Sequence, residues 1–134
     1  MEILVTGAGG FVGGDLCRGL VADGDEVVAM WHRNEQRLKA LSGLADLTGV
    51  QGDIRNPTLV ADLCGGVDAV CHLAVLPPGA PGAAETNIQG TQNVVDGCCR
   101  TDVEHLVYAS SMSVYDFLSP QYLPVDEAHP CQPL

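Results

Sequence analysis

The stretch Ile3-Leu4-Val5-Thr6-Gly7-Ala8-Gly9-Gly10-Phe11-Val12-Gly13-Gly14 constrains the fold of this chain more than any other. A short apolar run ends at a threonine, a glycine cluster follows, and an amphipathic segment begins at once. That order predicts a strand, a tight turn and a helix start. Glycine suits such a turn where φ must be positive or where a Cβ would have no room. A helix starting there points its unsatisfied N–H groups and its positive dipole end at the turn, which makes the turn an anion cradle.

The rest of the chain alternates strand and helix patterns. The first strand is expected over residues 3–6. The helix after it carries Val12, Leu16 and Leu20, with Cys17 and Val21 beside them, at i, i+4 spacing. It stops near Asp23-Gly24, a C-terminal glycine signal. Residues 26–31 read as a second, buried strand. Asn34 caps a short helix running to residue 41, and a brief third strand covers 48–51. Asn56-Pro57 is an N-cap followed by proline at the first helical position. The helix it opens buries Leu59, Val60 and Leu63 and ends at Gly65-Gly66. Residues 68–74 form a fourth strand, almost continuously apolar, as a parallel strand covered on both faces should be. A long helix is expected over 83–100, with Ile88, Thr91, Val95 and Cys98 along one side, and a fifth strand over 105–110. Beyond Ser111 the periodicity ends, and Pro120, Pro124, Pro130 and Pro133 break any helix or central strand. The class is therefore α/β, a doubly wound parallel sheet of strand order 3-2-1-4-5. Its ligand belongs at the carboxyl ends of the strands. Residues 1–110 make the core and 111–134 a proline-rich tail.

Composition excludes several functions. The formal net charge is −11, from 17 acidic and 6 basic residues, of which Lys39 is the single lysine. Binding a phosphate backbone needs clustered Lys and Arg, so nucleic acid is not an expected partner. No stretch approaches the roughly 20 apolar residues of a membrane span. The N-terminus runs straight into a strand with no basic region or cleavage site, so no signal peptide is expected. The six cysteines (Cys17, Cys64, Cys71, Cys98, Cys99 and Cys131) form no Cys-x-x-Cys pair. Buried free thiols in the cytoplasm are the expectation. Cys98, Cys99 and His105 lack metal-ligand spacing, so no metal site is expected.

The glycines are spaced Gly7-x-x-Gly10-x-x-Gly13 rather than G-x-G-x-x-G. Four further stretches come after them in order. They are Gly52-Asp53-Ile54-Arg55, His72-Leu73-Ala74, Asn87-Ile88-Gln89-Gly90-Thr91-Gln92-Asn93 and Tyr108-Ala109-Ser110-Ser111-Met112-Ser113-Val114-Tyr115. With the glycine turn they resemble the extended short-chain dehydrogenase/reductases, specifically the NAD-dependent epimerase/dehydratase family, along the whole chain. The resemblance implies a Rossmann-type fold and hydride transfer involving a nicotinamide dinucleotide. It places Gly7, Gly10 and Gly13 along the pyrophosphate, with Phe11 and Val12 offering backbone N–H groups. It places Asp53 and Ile54 beside the adenine ring, Leu73 and Ala74 under a ribose, and Asn87 on the helix that steadies the end of the active-site strand. Ser111 is implied as the serine that hydrogen-bonds the reacting carbonyl or hydroxyl. Each has a plainer reading: Asp53 as a loop cap before Asn56, Asn87 as a helix-surface amide, Ser111 as the cap of the next turn.

Cofactor choice turns on the end of the second strand, where NAD sites carry an Asp or Glu about 20 residues past the glycines. Here the chain reads Trp31-His32-Arg33-Asn34, with Arg37 a turn later. A guanidinium binds a 2′-phosphate bidentately, which a carboxylate would repel. NADP is therefore expected over NAD, with Arg33 the leading contact and His32 and Arg37 secondary. A solvated loop arginine is the plainer alternative.

The resemblance also implies a Tyr-x-x-x-Lys pair whose lysine lowers the phenol pKa for proton transfer. None of Tyr108, Tyr115 and Tyr122 has a lysine four residues on, and the pair is expected just past Leu134. With no sixth strand beside it, the fifth strand is an exposed edge open to pairing with a second copy or to cover by the tail. Three readings are open. One is the cofactor-binding portion of an epimerase, dehydratase or reductase acting on a nucleotide-sugar or related substrate, catalytically incomplete as given. Another is a non-catalytic NADP-binding module, a redox sensor or a subunit completed by a partner chain. The last is a fragment that folds poorly. An in-frame Tyr-x-x-x-Lys after Leu134 would mark the first reading and a stop codon the second.

Overall fold

The computed structural model describes residues 1–33, 39–40, 43–116 and 118–133. Five strands form one parallel sheet: β1 (Glu2–Thr6), β2 (Glu26–Trp31), β3 (Leu47–Gln51), β4 (Ala69–His72) and β5 (His105–Tyr108). Their order is β3-β2-β1-β4-β5, as the alternation of elements requires. Helix α1 (Phe11–Ala22) crosses from β1 to β2 and α2 (Pro57–Cys64) from β3 to β4. A π-helical segment, Glu85–Gly90, runs into α3 (Thr91–Cys99) before β5. The start of the helix expected from Asn34, and Arg37 within it, lie outside the described residues.

β1 is the central strand, and its period-2 alternation builds two cores. Ile3 and Val5 point to one face and pack with Cys17, Val27 and Ala29 under α1. Leu4, fully buried, points to the other and packs with Val60, Cys64, Val70 and Val94 under α2 and α3. Helix α2 begins as its cap predicts: Asn56 Oδ1 accepts the N–H groups of Thr58 and Leu59, both at 3.2 Å, and Pro57 follows.

Two elements differ from the pattern-based expectation, and β5 ends at Tyr108 rather than at residue 110. β4 ends at His72 rather than at residue 74: the Leu73 amide is shared between the Thr6 carbonyl and the Thr6 hydroxyl, and the Ala74 amide turns to that hydroxyl. The helix expected over 83–100 is π-helical in its first part and α-helical only from Thr91. Its buried face is Gly90, Asn93, Val94, Gly97 and Cys98, whereas Ile88 is 73% exposed. Small residues decide this: a Cβ at Gly90 would lie 2.6 Å from Ile54 Cγ1, and one at Gly97 3.0 Å from Cys64 Sγ. The segment therefore turns Gly97 to α2 and Gly90 to Ile54, with Val94 buried between the helices and the sheet and Ile88 outward. β5 is exposed along its whole length, including Leu106, Val107 and Tyr108. The tail is irregular but organised around His129, which is buried against Tyr115 and Tyr122.

Candidate functional site

The turn between β1 and α1 is built from backbone alone. Gly7 has φ +73, and a Cβ on it would lie 2.8 Å from both Leu73 C and Ala74 N. A Cβ on Gly13 would lie 2.8 Å from Ala8 Cα and 2.9 Å from Gly7 C, and closer still to the Gly7 carbonyl oxygen. The first turn of α1 therefore rests directly on the loop before it. Gly10 N–H donates to Gly7 O at 2.9 Å and Ala8 N–H to Met30 O at 3.0 Å, fastening the turn to itself and to β2. Gly10 is the N-cap of α1 and brings no side-chain oxygen to the first-turn amides. That leaves the positive end of the helix facing the turn.

A cavity of about 440 Å³ opens there, at the carboxyl ends of β1 to β4. Gly7, Gly10, Phe11, Val12 and Gly13 form its floor. His32 and Arg33 line it past β2, Asp53 and Ile54 past β3, and Leu73 and Ala74 past β4. All of these were singled out from sequence. Two were singled out and do not line the cavity. Asn87 sits behind it, accepting the Leu76 N–H and donating to the Leu76 carbonyl, both at 2.8 Å. Ser111 caps a short 3₁₀ turn, its Oγ accepting the Ser113 N–H and donating to Ser113 Oγ, each at 3.1 Å.

Electrostatics at the β3 end centre on Asp53. Its carboxylate accepts the Arg55 backbone N–H at 2.9 Å and two bonds from Arg55 Nε, at 2.9 and 3.0 Å, with Arg55 Nη2 closing the pair. Those hydrogen bonds hold the Asp53 carboxyl down at about 2, and His32 Nε2, 3.5 Å away, adds a smaller pull in the same direction. Asp53 is thus a loop cap and a cavity wall at once.

The loop over residues 75–82, expected to contribute to a substrate cleft, supplies Val75, Leu76 and Pro81 to the lining, whereas Met30, Trp31, Arg55 and Thr86 were missed. Arg55 was within reach, as the last residue of Gly52-Asp53-Ile54-Arg55. Asn93 was missed as well: it is buried and donates to the Ile54 carbonyl at 2.9 Å, holding that residue against the cavity. Behind the β4 end lies a buried polar chain. Thr6 Oγ1 is 2.7 Å from His72 Nδ1, and His72 Nε2 is 2.9 Å from Thr91 Oγ1. Burial pushes the His72 pKa down, which keeps the ring neutral. The His72 ring also stacks on Tyr108, with centroids 5.6 Å apart.

A glycine turn opening on a cavity across the carboxyl ends of a doubly wound parallel sheet defines a Rossmann-type binding domain. Residues 3–134 match the model of the NAD dependent epimerase/dehydratase family. The chain belongs to that family. It is 38% identical over 118 residues to a 2-alkyl-3-oxoalkanoate reductase of Stenotrophomonas maltophilia, covering 85% of this chain and 34% of the relative. It is 34% identical over 131 residues to mouse 3 beta-hydroxysteroid dehydrogenase type 7, covering 83% and 32%. Among solved structures it resembles the Bordetella bronchiseptica enzyme WbmH in complex with NAD+. There the TM-score is 0.86 and the identity 30%, over 98% of this chain and 46% of that one. It also resembles the dTDP-glucose 4,6-dehydratase DesIV of Streptomyces venezuelae, solved with NAD bound. The TM-score is 0.85 and the identity 31%, over 99% of this chain and 46% of that one. The chain spans about a third of the length of the curated relatives it matches. No helix among the described residues is long and apolar enough to cross a membrane.

Proposed function

We propose that this chain holds a nicotinamide dinucleotide in the 440 Å³ cavity and is the cofactor-binding portion of an enzyme acting by hydride transfer on a nucleotide-sugar or related carbonyl or alcohol substrate. The observation that carries the reading is the floor of the cavity. Gly7 and Gly13 lie where a Cβ would strike backbone, beside a helix start without a side-chain cap, which suits a pyrophosphate. The cavity is also of the size ordinary for cofactor sites. Gly7, Gly10, Phe11, Val12 and Gly13 hold the pyrophosphate, Asp53 and Ile54 the adenine, and Leu73 and Ala74 a ribose. Asn87 steadies the segment beyond β4, and Ser111 hydrogen-bonds the reacting oxygen. Bound there, the dinucleotide supplies hydride exchange at its nicotinamide ring. The Tyr-x-x-x-Lys proton-transfer pair is not among these 134 residues. The reductase and dehydrogenase relatives favour this reading over a non-catalytic module.

Within this reading NADP is preferred over NAD. Arg33 and His32 line the cavity past β2, Asp53 is the sole carboxylate among the described lining residues, and it is already paired with Arg55. Arg37 is a further candidate. Calorimetric titration with each cofactor tests both statements: no binding of either refutes the function, and tighter binding of NAD refutes the preference. The free thiols fit a cytoplasmic setting. The exposed β5 edge is offered for pairing with a second copy, and a monomer in sedimentation equilibrium refutes that.

A further inference from the structure

We infer that His72 is a positioning residue that couples two separate clamps on the cavity-lining segment 73–76, acting as the neutral tautomer protonated at Nε2. The first clamp is Thr6. Its Oγ1 accepts the N–H groups of Leu73 at 3.2 Å and Ala74 at 3.3 Å, the Leu73 N–H being shared with the Thr6 carbonyl, also at 3.2 Å. A hydroxyl has two acceptor sites and one proton. Two of the partners of this buried hydroxyl are N–H donors, so among the described residues His72 Nδ1 is the partner left to take the Thr6 proton, which makes it the unprotonated ring nitrogen. The ring proton then sits on Nε2 and is donated to Thr91 Oγ1.

The second clamp is Asn87, which holds both backbone groups of Leu76. Asn87 lies in the π-helical segment, and Thr91 begins the α-helix directly after it, four residues on. The chain of donors thus runs from the amides of Leu73 and Ala74 through Thr6 and His72 to the helix carrying Asn87, and back to Leu76. The Thr6–His72 link is removed from solvent, so water cannot replace it, while Thr91 at the far end is half-buried. The ring is held neutral by that burial, and the links fix which nitrogen bears the proton. Gly7 packs against Leu73 and Ala74, so a shift of this segment is felt in the glycine turn.

The consequence for cofactor affinity rests on the dinucleotide reading above; the coupling itself does not. Long-range proton–nitrogen correlation spectra of histidine-labelled protein report the tautomer, and amide exchange reports the clamps. Expected are an Nε2–H signature for His72 and, in Thr91→Val, amides of Leu73, Ala74 and Leu76 that all exchange about tenfold faster, the effect of one buried hydrogen bond. The ladder amides of β1 and β2 keep their protection. His72→Phe fills the same space without either nitrogen and is expected to loosen the same three amides. An Nδ1–H signature, or Leu76 protection unchanged in Thr91→Val, overturns the proposal. NADPH titration of the same proteins separates the two ideas. If the wild type binds neither NADPH nor NADH while the tautomer and the exchange pattern hold, the cofactor reading fails and the coupling stands.

Discussion

Replacing Gly13 by alanine would place a methyl group 2.8 Å from Ala8 Cα and 2.9 Å from Gly7 C, and nearer still to Gly7 O. All three are backbone atoms, so no rotamer change relieves the contact. The turn cannot drift away freely, because Ala8 N–H is bonded to Met30 O and Gly10 N–H to Gly7 O. Overpacking of this kind costs typically about 1–3 kcal/mol, and backbone contacts belong at the upper end. Alanine recovers about 1 kcal/mol of helix propensity relative to glycine. The expected net loss is about 2 kcal/mol, measured as a lower midpoint in urea with the slope unchanged. Gly10→Ala is the control. Its Cβ meets only Gly7 O, at 3.1 Å, and its φ of −79 suits alanine, so the expected loss is under about 1 kcal/mol. Any opening of the turn that relieves Gly13→Ala also widens the cradle, so dinucleotide affinity falls with stability. Equal midpoints for Gly13→Ala and Gly10→Ala would refute the claim that the helix rests on the turn by backbone contact.

Arg33→Ala is expected to weaken NADP binding about tenfold to a hundredfold, the loss of a charge-assisted hydrogen bond, and to leave NAD unchanged by calorimetry. Asp53 titrates at about 2 in the folded chain against an ordinary 3.8, so its contribution to stability is complete above 3.8 and is lost as pH falls through about 2. In Arg55→Ala the Asp53 carboxyl should move up toward 3.8 in a carbon-detected pH titration; a value still near 2 would remove Arg55 as the cause. Asn56→Ala deletes the α2 cap and should cost about 1 kcal/mol in urea unfolding. An unchanged midpoint there would mean Pro57 alone starts the helix.

The glycine turn and the Asn56-Pro57 helix start were legible in the sequence because each depends on neighbours a few residues apart, and the strand order followed from the alternation of strands and helices. Eleven of the expected cofactor residues line the cavity for the same reason: each lies just past a strand end, and the topology carries those ends together. The helix stripe was misjudged because its packing partner lies far along the chain. Ile88 and Val95 fit an apolar helical stripe, yet the contact made by Gly90 on Ile54 turns that stripe outward. Asp53 had two readings, a cap or a cavity wall, and its pairing with Arg55 makes it both. Ser111, read as a substrate contact or as the cap of the next turn, caps its own 3₁₀ turn.

The amino-acid sequence by itself determined the alternating elements, the need for glycine at the turn and the family, because propensities, caps and steric limits act locally. Only the tertiary structure decided the role of His72. Its partners Thr6 and Thr91 stand 66 and 19 residues away. Which of its nitrogens carries the proton depends on how many donors converge on one hydroxyl, and that convergence exists only once β1, β4 and the helix of Thr91 are packed together.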